Sequence, residues 1–427
     1  MKTNLDKILR DMNGKKILVI GDLMLDKFIY GNVETMSEEA SVPVVKIDRT
    51  EYNLGGAGNT ANNISSLNGI AFIVGVIGND NEGETLLKEF KKKNILHDGV
   101  FVDGSRPTIQ KTRILGETQQ MIRMDYEITN YINKELEGKI NDYLSKKISK
   151  IETIIVSDYA KGTITENIAK NLVGLALKYD KIIVVDTKPK HAEFYRKVTL
   201  LKPNLKEAIK MADTSDLIEA GKILKEKFNS NVLITKGKDG MSLFLKDGKY
   251  LEIPTKAREV FDVSGAGDTV LATLGLALSA NANLEDAVYL ANIAGGLVVE
   301  RKGVVTITQK DIIEYLKVPI ISKVWGEEHW LVNESYCGKR LILNKGYRCS
   351  LHYHEIKDET FYVAKGKVLL ELHGKKIIMN PGDSQRIKPN DIHRFSGLEN
   401  SEIIEFSTHH DEEDTYRKEP SGKIPEF

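Results

Sequence analysis

The stretch Asp262-Val-Ser-Gly-Ala-Gly-Asp268 runs straight into the apolar segment Thr269-Val-Leu-Ala-Thr-Leu-Gly-Leu-Ala-Leu278. Two glycines let a turn bring its backbone N–H groups close together. A helix beginning at that turn points its positive end at the same spot, so Gly265, Ala266 and Gly267 form an anion cradle. Asp268, in the first helical turn, stands where a carboxylate can take a proton from a hydroxyl beside the anion. A cradle next to a base is what phosphoryl transfer to an alcohol requires. Taken alone, the same residues also read as a glycine-rich helix start with Asp268 as a capping group.

Outward from this turn, Lys15 to about Lys317 alternates β-branched runs with longer amphipathic stretches. Lys16-Ile-Leu-Val-Ile20, Thr153-Ile-Ile-Val-Ser157, Lys181-Ile-Ile-Val-Val-Asp186 and Val232-Leu-Ile-Thr235 read as buried parallel strands, and Ile164–Lys178 and Leu217–Phe228 as helices. The alternation predicts a doubly wound α/β domain, mostly parallel, over residues 1–318, with functional groups beyond the carboxyl ends of the strands. Residues 29–50 and 108–125 alternate as exposed antiparallel strands do, which predicts a small β lid. Past Val318-Pro319 the pattern changes to short strands broken by Gly, Pro, Asn and Asp turns, as in Val368-Leu-Leu-Glu-Leu372, His373-Gly-Lys375 and Lys376-Ile-Ile-Met379. Residues 319–415 therefore read as an all-β barrel or sandwich, and residues 416–427 as a flexible tail.

Composition narrows the function classes. Lys+Arg and Asp+Glu both number 61, so no nucleic-acid footprint is present, and no apolar signal core or bilayer-length run occurs. Cys337 and Cys349 are the only cysteines, which excludes a disulfide framework and suits a reducing compartment; a cytoplasmic enzyme is expected. Gly55-Gly56-Ala57-Gly58-Asn59 leads into a predicted helix over 61–67 and offers a close backbone approach to a hydroxylated ligand. Asp22 closes the first strand where it can accept from sugar hydroxyls. Asn204 and Glu207 lie three apart, suited either to Mg²⁺ and phosphate or to an N-cap with its capping-box partner. Thr235-Lys-Gly237-Lys-Asp-Gly240 is a polar glycine loop ending a strand, a candidate nucleotide contact.

Together and in this order, these segments resemble the ribokinase-like (PfkB) sugar kinase family over about residues 12–318. The resemblance implies that Asp268 is the catalytic base, that Gly265, Ala266 and Gly267 bind the transferred phosphoryl group, and that Asn204 and Glu207 match the Asn-x-x-Glu motif tied to Mg²⁺. Thr235, Gly237 and Asn292 match nucleotide-site positions for ATP, and Asp262 lies where many members bind a monovalent cation such as K⁺. Ser264 replaces the usual Thr. Gly21-Asp-Leu-Met-Leu-Asp26, Ser37–Val45, Gln119–Asp125, Ser157-Asp158-Tyr-Ala-Lys161-Gly162 and Lys202-Pro-Asn-Leu look like the kinase half of the bifunctional heptose-phosphate kinase/adenylyltransferases. These phosphorylate D-glycero-D-manno-heptose 7-phosphate at O1. Such a substrate bears a phosphate that needs cations, for which Arg113, Arg123, Lys161 and Lys188 are the candidates. The usual Asp-Pro-Lys-Gly reads Asp186-Thr-Lys-Pro here.

The second domain carries Gly346-x5-His352-x-His354-x4-Glu359-x6-Gly366. Residues two apart in a strand share a face, so His352 and His354 can point into a barrel together. Glu359 starts the partner strand, and His393 fits a fourth position. Three imidazoles and a carboxylate suit Mn²⁺, Fe²⁺, Ni²⁺ or Zn²⁺. This resembles the cupin superfamily, with Lys388 and Asn390 replacing the usual Pro and Gly. Trp325-Gly-x-Glu-His-Trp330, Ser350-Leu-x-x-His354 and Glu412-Glu-Asp-Thr-Tyr-Arg417 look like type II mannose-6-phosphate isomerases, which implies aldose–ketose chemistry on a phosphosugar. A sugar-sensing module without catalysis is the other reading. The cupin stands where the likened enzymes have their adenylyltransferase half. The expected partner is a small-molecule sugar phosphate, with a homodimer formed through the lid.

Overall fold

Strand Lys16–Gly21 lies inside a nine-stranded sheet, paired in parallel with Ile70–Gly78 on one side and Thr153–Asp158 on the other. Beyond Thr153–Asp158 come Ile182–Thr187, Leu200–Leu201 and Asn231–Thr235, all parallel, and then Met241–Phe244 and Tyr250–Ile253, each antiparallel to the strand before it. Leu96–Asp103 closes the other edge. The central strands are buried on both faces, which is why they read as unbroken Ile/Val/Leu runs rather than as alternation. The sequence expectation of a doubly wound, mostly parallel α/β sheet holds. This computed structural model describes residues 2–116, 119–255, 260–301, 303–317 and 320–425, and it divides into two compact units, Met1–Ile313 and Glu314–Phe427. The expected boundary at Val318-Pro319 falls outside the described residues.

Helix Ala266–Ser279 is buried on every face from Asp268 to Ser279, as a largely apolar helix enclosed by protein is. It packs on helices Leu284–Val299 and Ala57–Ser66 and on strands Thr153–Asp158 and Ile182–Thr187, which anchors its N-terminus at the carboxyl ends of the strands. Leu271 and Leu274 are fully buried there, and truncating either to Ala is expected to cost about 2–5 kcal/mol of stability. The helix read over 61–67 in fact begins at Ala57, because Gly56, at φ +54°, makes the turn that starts it.

The lid is a four-stranded sheet in the order Pro43–Gly56, Leu23–Met36, Ile109–Gly116, Gln119–Tyr126. One expectation is corrected here. Leu23–Met36 and Ile109–Gly116 run parallel, because the crossover through Ile70–Gly78 and Leu96–Asp103 returns the chain in the same direction; the other two pairings are antiparallel.

The C-terminal unit is all-β. One sheet contains Gly326–Asn333, Tyr336–Leu343, Ser401–Thr408 and Glu359–Lys365, and the other Val368–Leu372, His393–Gly397 and Leu351–Tyr353. Trp325, Leu341, Phe361, Val363, Leu370, Phe395 and Ile403 fill the space between them. The expected tail is also corrected: Tyr416–Glu419 pairs with Leu351–Tyr353, and Gly422–Lys423 pairs with Tyr347–Arg348. Polar composition hid these strands because they pair through the backbone at a sheet edge and bury few side chains.

Candidate active site and metal centre

Asp268 is buried, and three side chains hold its carboxylate. Asn59 Nδ2 donates to Oδ2 at 2.8 Å, while Thr60 Oγ1 and the Tyr159 hydroxyl donate to Oδ1, each at 3.2 Å. Burial pushes the Asp268 carboxyl up to about 6, with the Asn59 bond pulling the other way. The negative charge of Asp268, followed by burial, raises the Tyr159 phenol far above its ordinary range, so Tyr159 stays a donor. Gly265 begins the helix at φ +78°, and a Cβ there would meet Asn59 Nδ2 at 2.8 Å. Glycine at this position therefore serves both the left-handed turn and the approach of Asn59 to Asp268. No side chain caps the helix start. Its positive dipole end lies at a cavity of about 520 Å³ that Ala266 and Gly267 line, and the Ala266 N–H donates to the Val263 carbonyl at 3.3 Å.

The same cavity is lined by Asn204, Glu207, Thr235, Gly237, Gly240 and Asn292, all expected at a nucleotide site, and by Lys188 and Asp158 from the substrate candidates. Asn204 and Glu207 form a complete capping box, with reciprocal bonds of 3.0 Å, and Glu207 also accepts from Lys188 Nζ at 2.6 Å. The two readings of that pair are thus compatible: it caps a helix and faces the cavity. Asn292 donates to the Pro254 carbonyl at 2.7 Å, which fixes its amide in the wall.

The structure separates other candidates by what they already bind. Asp22, a candidate sugar contact, also holds a loop. Fully buried, it accepts backbone N–H bonds from Tyr159, Lys161 and Thr163 at 2.9–3.1 Å. Asp158 is likewise a hub, accepting from Thr187, His191 and Tyr195 at 2.9 Å. Gly55 and Gly56 lie where the lid strand enters helix Ala57–Ser66; a Cβ on Gly55 would meet Asp26 Oδ2 at 2.6 Å. All four phosphate-contact candidates are already paired: Arg113 with Asp26, Arg123 with Asp125, Lys161 with Glu127 and Lys188 with Glu207. Arg123 sits on the exposed outer lid strand, because a lid-edge side chain has no core to turn toward.

In the C-terminal unit, His352, His354, Glu359 and His393 bring their ligand atoms within 4.8 Å of one another. His352 and His393 face each other across paired strands. Each imidazole is fixed from behind by Nδ1–H donation to a backbone carbonyl: His352 to Ser350 at 2.8 Å, His354 to Asp414 at 2.7 Å, and His393 to Asp391 at 2.9 Å. That tautomer leaves every Nε2 lone pair facing the others. Glu359 Oε1 and His393 Nε2 approach to 2.8 Å, yet both are buried without an aligned hydrogen bond, as two lone pairs aimed at one ion would be. Burial first, then neighbouring imidazole charge, drives His352 down to about 3, so it stays neutral and able to ligate. Burial opposes ionisation of Glu359, but Lys357 and the histidines hold its carboxyl well below the ordinary range. The donor set fits a divalent transition metal. Asn390 takes φ +70° where the motif usually has glycine, a conformation Asn tolerates.

A profile of the pfkB family of carbohydrate kinases matches residues 14–311. The chain belongs to the pfkB family of carbohydrate kinases. Among its relatives, it is 38% identical over 371 residues to the bifunctional protein HldE of Geobacter sulfurreducens, an alignment spanning 83% of this chain and 75% of that protein. It is 37% identical over 361 residues to HldE of Helicobacter pylori, covering 83% and 77%. Arabidopsis thaliana ribokinase, solved with ribose and ATP, superposes with a TM-score of 0.58 at 18% identity, covering 72% of this chain and all of that one. Escherichia coli phosphofructokinase-2, solved with potassium, gives 0.58 at 17%, covering 71% and 99%. At such identity the superpositions establish the fold. A cupin-domain profile matches residues 339–406. The N-terminal unit is thus a phosphotransferase with a sugar alcohol as acceptor.

Several residues around the two candidate sites were not singled out from the sequence. Lys202 is buried with Nζ 2.6 Å from Asp186, and a Cβ on Gly267 would lie 4.0 Å from that Nζ, so this cation stands beside the anion turn. Tyr159 and Thr60 hold the Asp268 carboxylate. Asp26 holds Arg113. In the cupin, Asp414 accepts backbone N–H bonds from Glu355, Ile356 and Lys357 at 2.9–3.2 Å and so shapes the turn between His354 and Glu359. Each of these lies within a segment that carried the family resemblance, yet no residue-type pattern marks a neutral phenol or a buried lysine as part of a site.

Proposed function

We propose that the kinase unit transfers the γ-phosphoryl group of ATP to O1 of D-glycero-D-manno-heptose 7-phosphate, and that the cupin isomerises or epimerises a related sugar phosphate. The observation that carries the kinase reading is the Asp268 carboxylate, held by Asn59, Thr60 and Tyr159 in the first turn of the helix that begins at Ala266. The acceptor O–H gives its proton to Asp268, its oxygen forms the new bond to the γ-phosphorus, and the bond to the β-phosphate oxygen breaks, releasing ADP. The amides of the turn and Lys202 meet the charge on the transferring group. Mg²⁺ would neutralise the nucleotide phosphates, with Asn204 and Glu207 as the residues nearest that task. The heptose assignment is supported by the likeness to HldE and by the five segments that resemble the heptose kinase subgroup.

Further parts of this reading rest on single features. K⁺ at the Asp262 loop is supported by the potassium held by phosphofructokinase-2 of the same fold. A homodimer through the lid is supported by Met36, Ile47, Ile122 and Met124, which leave apolar surface exposed on the lid strands. The cytoplasm, which supplies ATP, is the proposed compartment; no helix among the described residues is long and apolar enough to cross a membrane. At the cupin, a divalent metal on His352, His354, Glu359 and His393 would polarise a sugar carbonyl and its neighbouring hydroxyl.

The test supplies ATP, Mg²⁺ and a panel of sugar phosphates that includes heptose 7-phosphate, and identifies products by phosphorus NMR. Formation of the 1,7-bisphosphate with the highest kcat/KM of the panel is expected. Turnover of another sugar phosphate without heptose bisphosphate would replace the substrate and leave the kinase in place.

A further inference from the structure

Beyond the four metal-ligand candidates, the cupin encloses a cavity of about 330 Å³ whose polar lining is unevenly satisfied. Lys357 is saturated, bridging Glu359 and Glu405, and Arg417 is paired with Glu412. Lys339 differs. It is buried, and its nearest carboxylate oxygen, on Glu328, is 3.7 Å away, too far for a hydrogen bond. Its ammonium is steadied by the face of Trp330, 4.2 Å from the ring centroid. His410 touches the same indole edge-on at 4.9 Å, and neither of its buried ring nitrogens has a hydrogen-bond partner, Glu412 lying 3.5 Å from Nε2. A buried ammonium and a buried imidazole short of bonds are costly unless something else completes them.

Position and charge indicate what that is. Lys339 stands opposite Glu405 in the strand register, and Glu405 shares Lys357 with Glu359, so the pair borders the metal-ligand cluster. Cationic and carboxylate side chains lining the cavity number four each. A divalent metal would leave two positive charges in excess, which matches the charge of about −1.5 to −2 on a phosphate monoester.

We infer that Lys339 and His410 form a phosphate subsite of the cupin, holding the phosphoryl end of a sugar phosphate whose reacting end meets the metal-ligand cluster. The charge balance rests on the metal proposed above; the under-bonded Lys339 and His410 do not.

The test uses the full chain, loaded with Mn²⁺ and free of nucleotide. It is titrated with glucitol 6-phosphate, a polyol phosphate with no carbonyl to isomerise, while phosphorus relaxation is followed. Protein carrying His352→Ala and His354→Ala gives the background. Wild-type protein is expected to speed relaxation above that background, and Lys339→Met and His410→Ala each to weaken binding by about tenfold or more, with Lys339→Arg recovering part of it. An unchanged circular dichroism spectrum and an unchanged thermal unfolding profile certify that the cupin unit of the variants folds. Wild-type affinity in both variants, or equal affinity for unphosphorylated glucitol, overturns the subsite. If wild-type protein retains no Mn²⁺, the metal reading fails separately, and calorimetry with the same ligand and variants decides the subsite: loss in Lys339→Met supports it and equality overturns it.

Discussion

At Asp268, donors from two segments, 208 and 209 residues away in one case and 109 in the other, converge on one carboxylate; at the metal-ligand cluster, each imidazole is braced by one backbone carbonyl and its forward nitrogen is left bare. The kinase site is organised as though its proton acceptor must be held before any substrate arrives. The cupin site is organised to be completed by what it binds. The same contrast extends to the cations. Lys188, Lys161, Arg113 and Arg123 each rest on a carboxylate that a phosphate would have to displace, whereas Lys339 has no carboxylate within bonding distance. A kinase that opens and closes gains from such exchangeable pairs, which keep charged side chains soluble while the site is empty.

The sharpest way to break this comparison is Asp268→Asn. It removes the base and spares the amide turn, so kcat is expected to fall about 10²–10⁴-fold with ATP affinity, read by calorimetry, nearly unchanged. Retained turnover would move the base elsewhere. Next in size is the double replacement His352→Ala with His354→Ala. Metal content measured by atomic emission should drop to background while kinase turnover holds. A parallel loss of kinase activity would instead favour a cupin that senses sugar and regulates its neighbour.

Smaller, but diagnostic, is the pH profile. The folded-state carboxyl of Asp268 is raised to about 6 by burial, so the base is protonated below that pH. Accordingly, kcat/KM should rise through about pH 6 and fall roughly tenfold for each unit below it. The stability consequence has the opposite sign. A buried carboxyl with a raised value costs the folded state more above pH 6 than below it, so stability at this site should improve slightly as Asp268 protonates. An acid limb near pH 4 would mean that the free enzyme does not hold the Asp268 carboxyl above its ordinary range.

How much of this could be read from the sequence differs between the sites for a physical reason. That His352, His354 and Glu359 gather was legible because a strand's period of two puts side chains on one face within a few residues, and His393 joins them from a second local motif. The turn at Gly265 and the helix start at Ala266 were legible because turn and helix are contiguous. What was not legible depends on long-range contact. Asp22 reads as a free carboxylate at a strand end, and only the fold shows three backbone N–H groups converging on it. Tyr416–Glu419 reads as a tail, and only the barrel shows the edge it completes. Lys202 reads as one lysine among many, until the sheet buries it against Asp186 beside Gly267.

The finest test of the comparison is Tyr159→Phe. If the base is held in advance, each of its donors should contribute to its proton affinity as well as to its position. The Tyr159 hydroxyl donates to Oδ1 and stabilises the charged carboxylate, pulling its pKa down against burial. Removing that hydroxyl leaves Thr60 alone on Oδ1 and should raise the pKa of Asp268, moving the acid limb of kcat/KM to higher pH. One hydrogen bond to a charged group contributes about 1.5–3 kcal/mol, so a shift of roughly one to two units is the expected ceiling, with solvent that enters in place of the hydroxyl reducing it. A merely structural role for Tyr159 would lower activity equally at all pH and leave the limb where it was. That outcome would assign the positioning of Asp268 to Asn59 and Thr60, and would make the kinase base less preorganised than its three donors indicate.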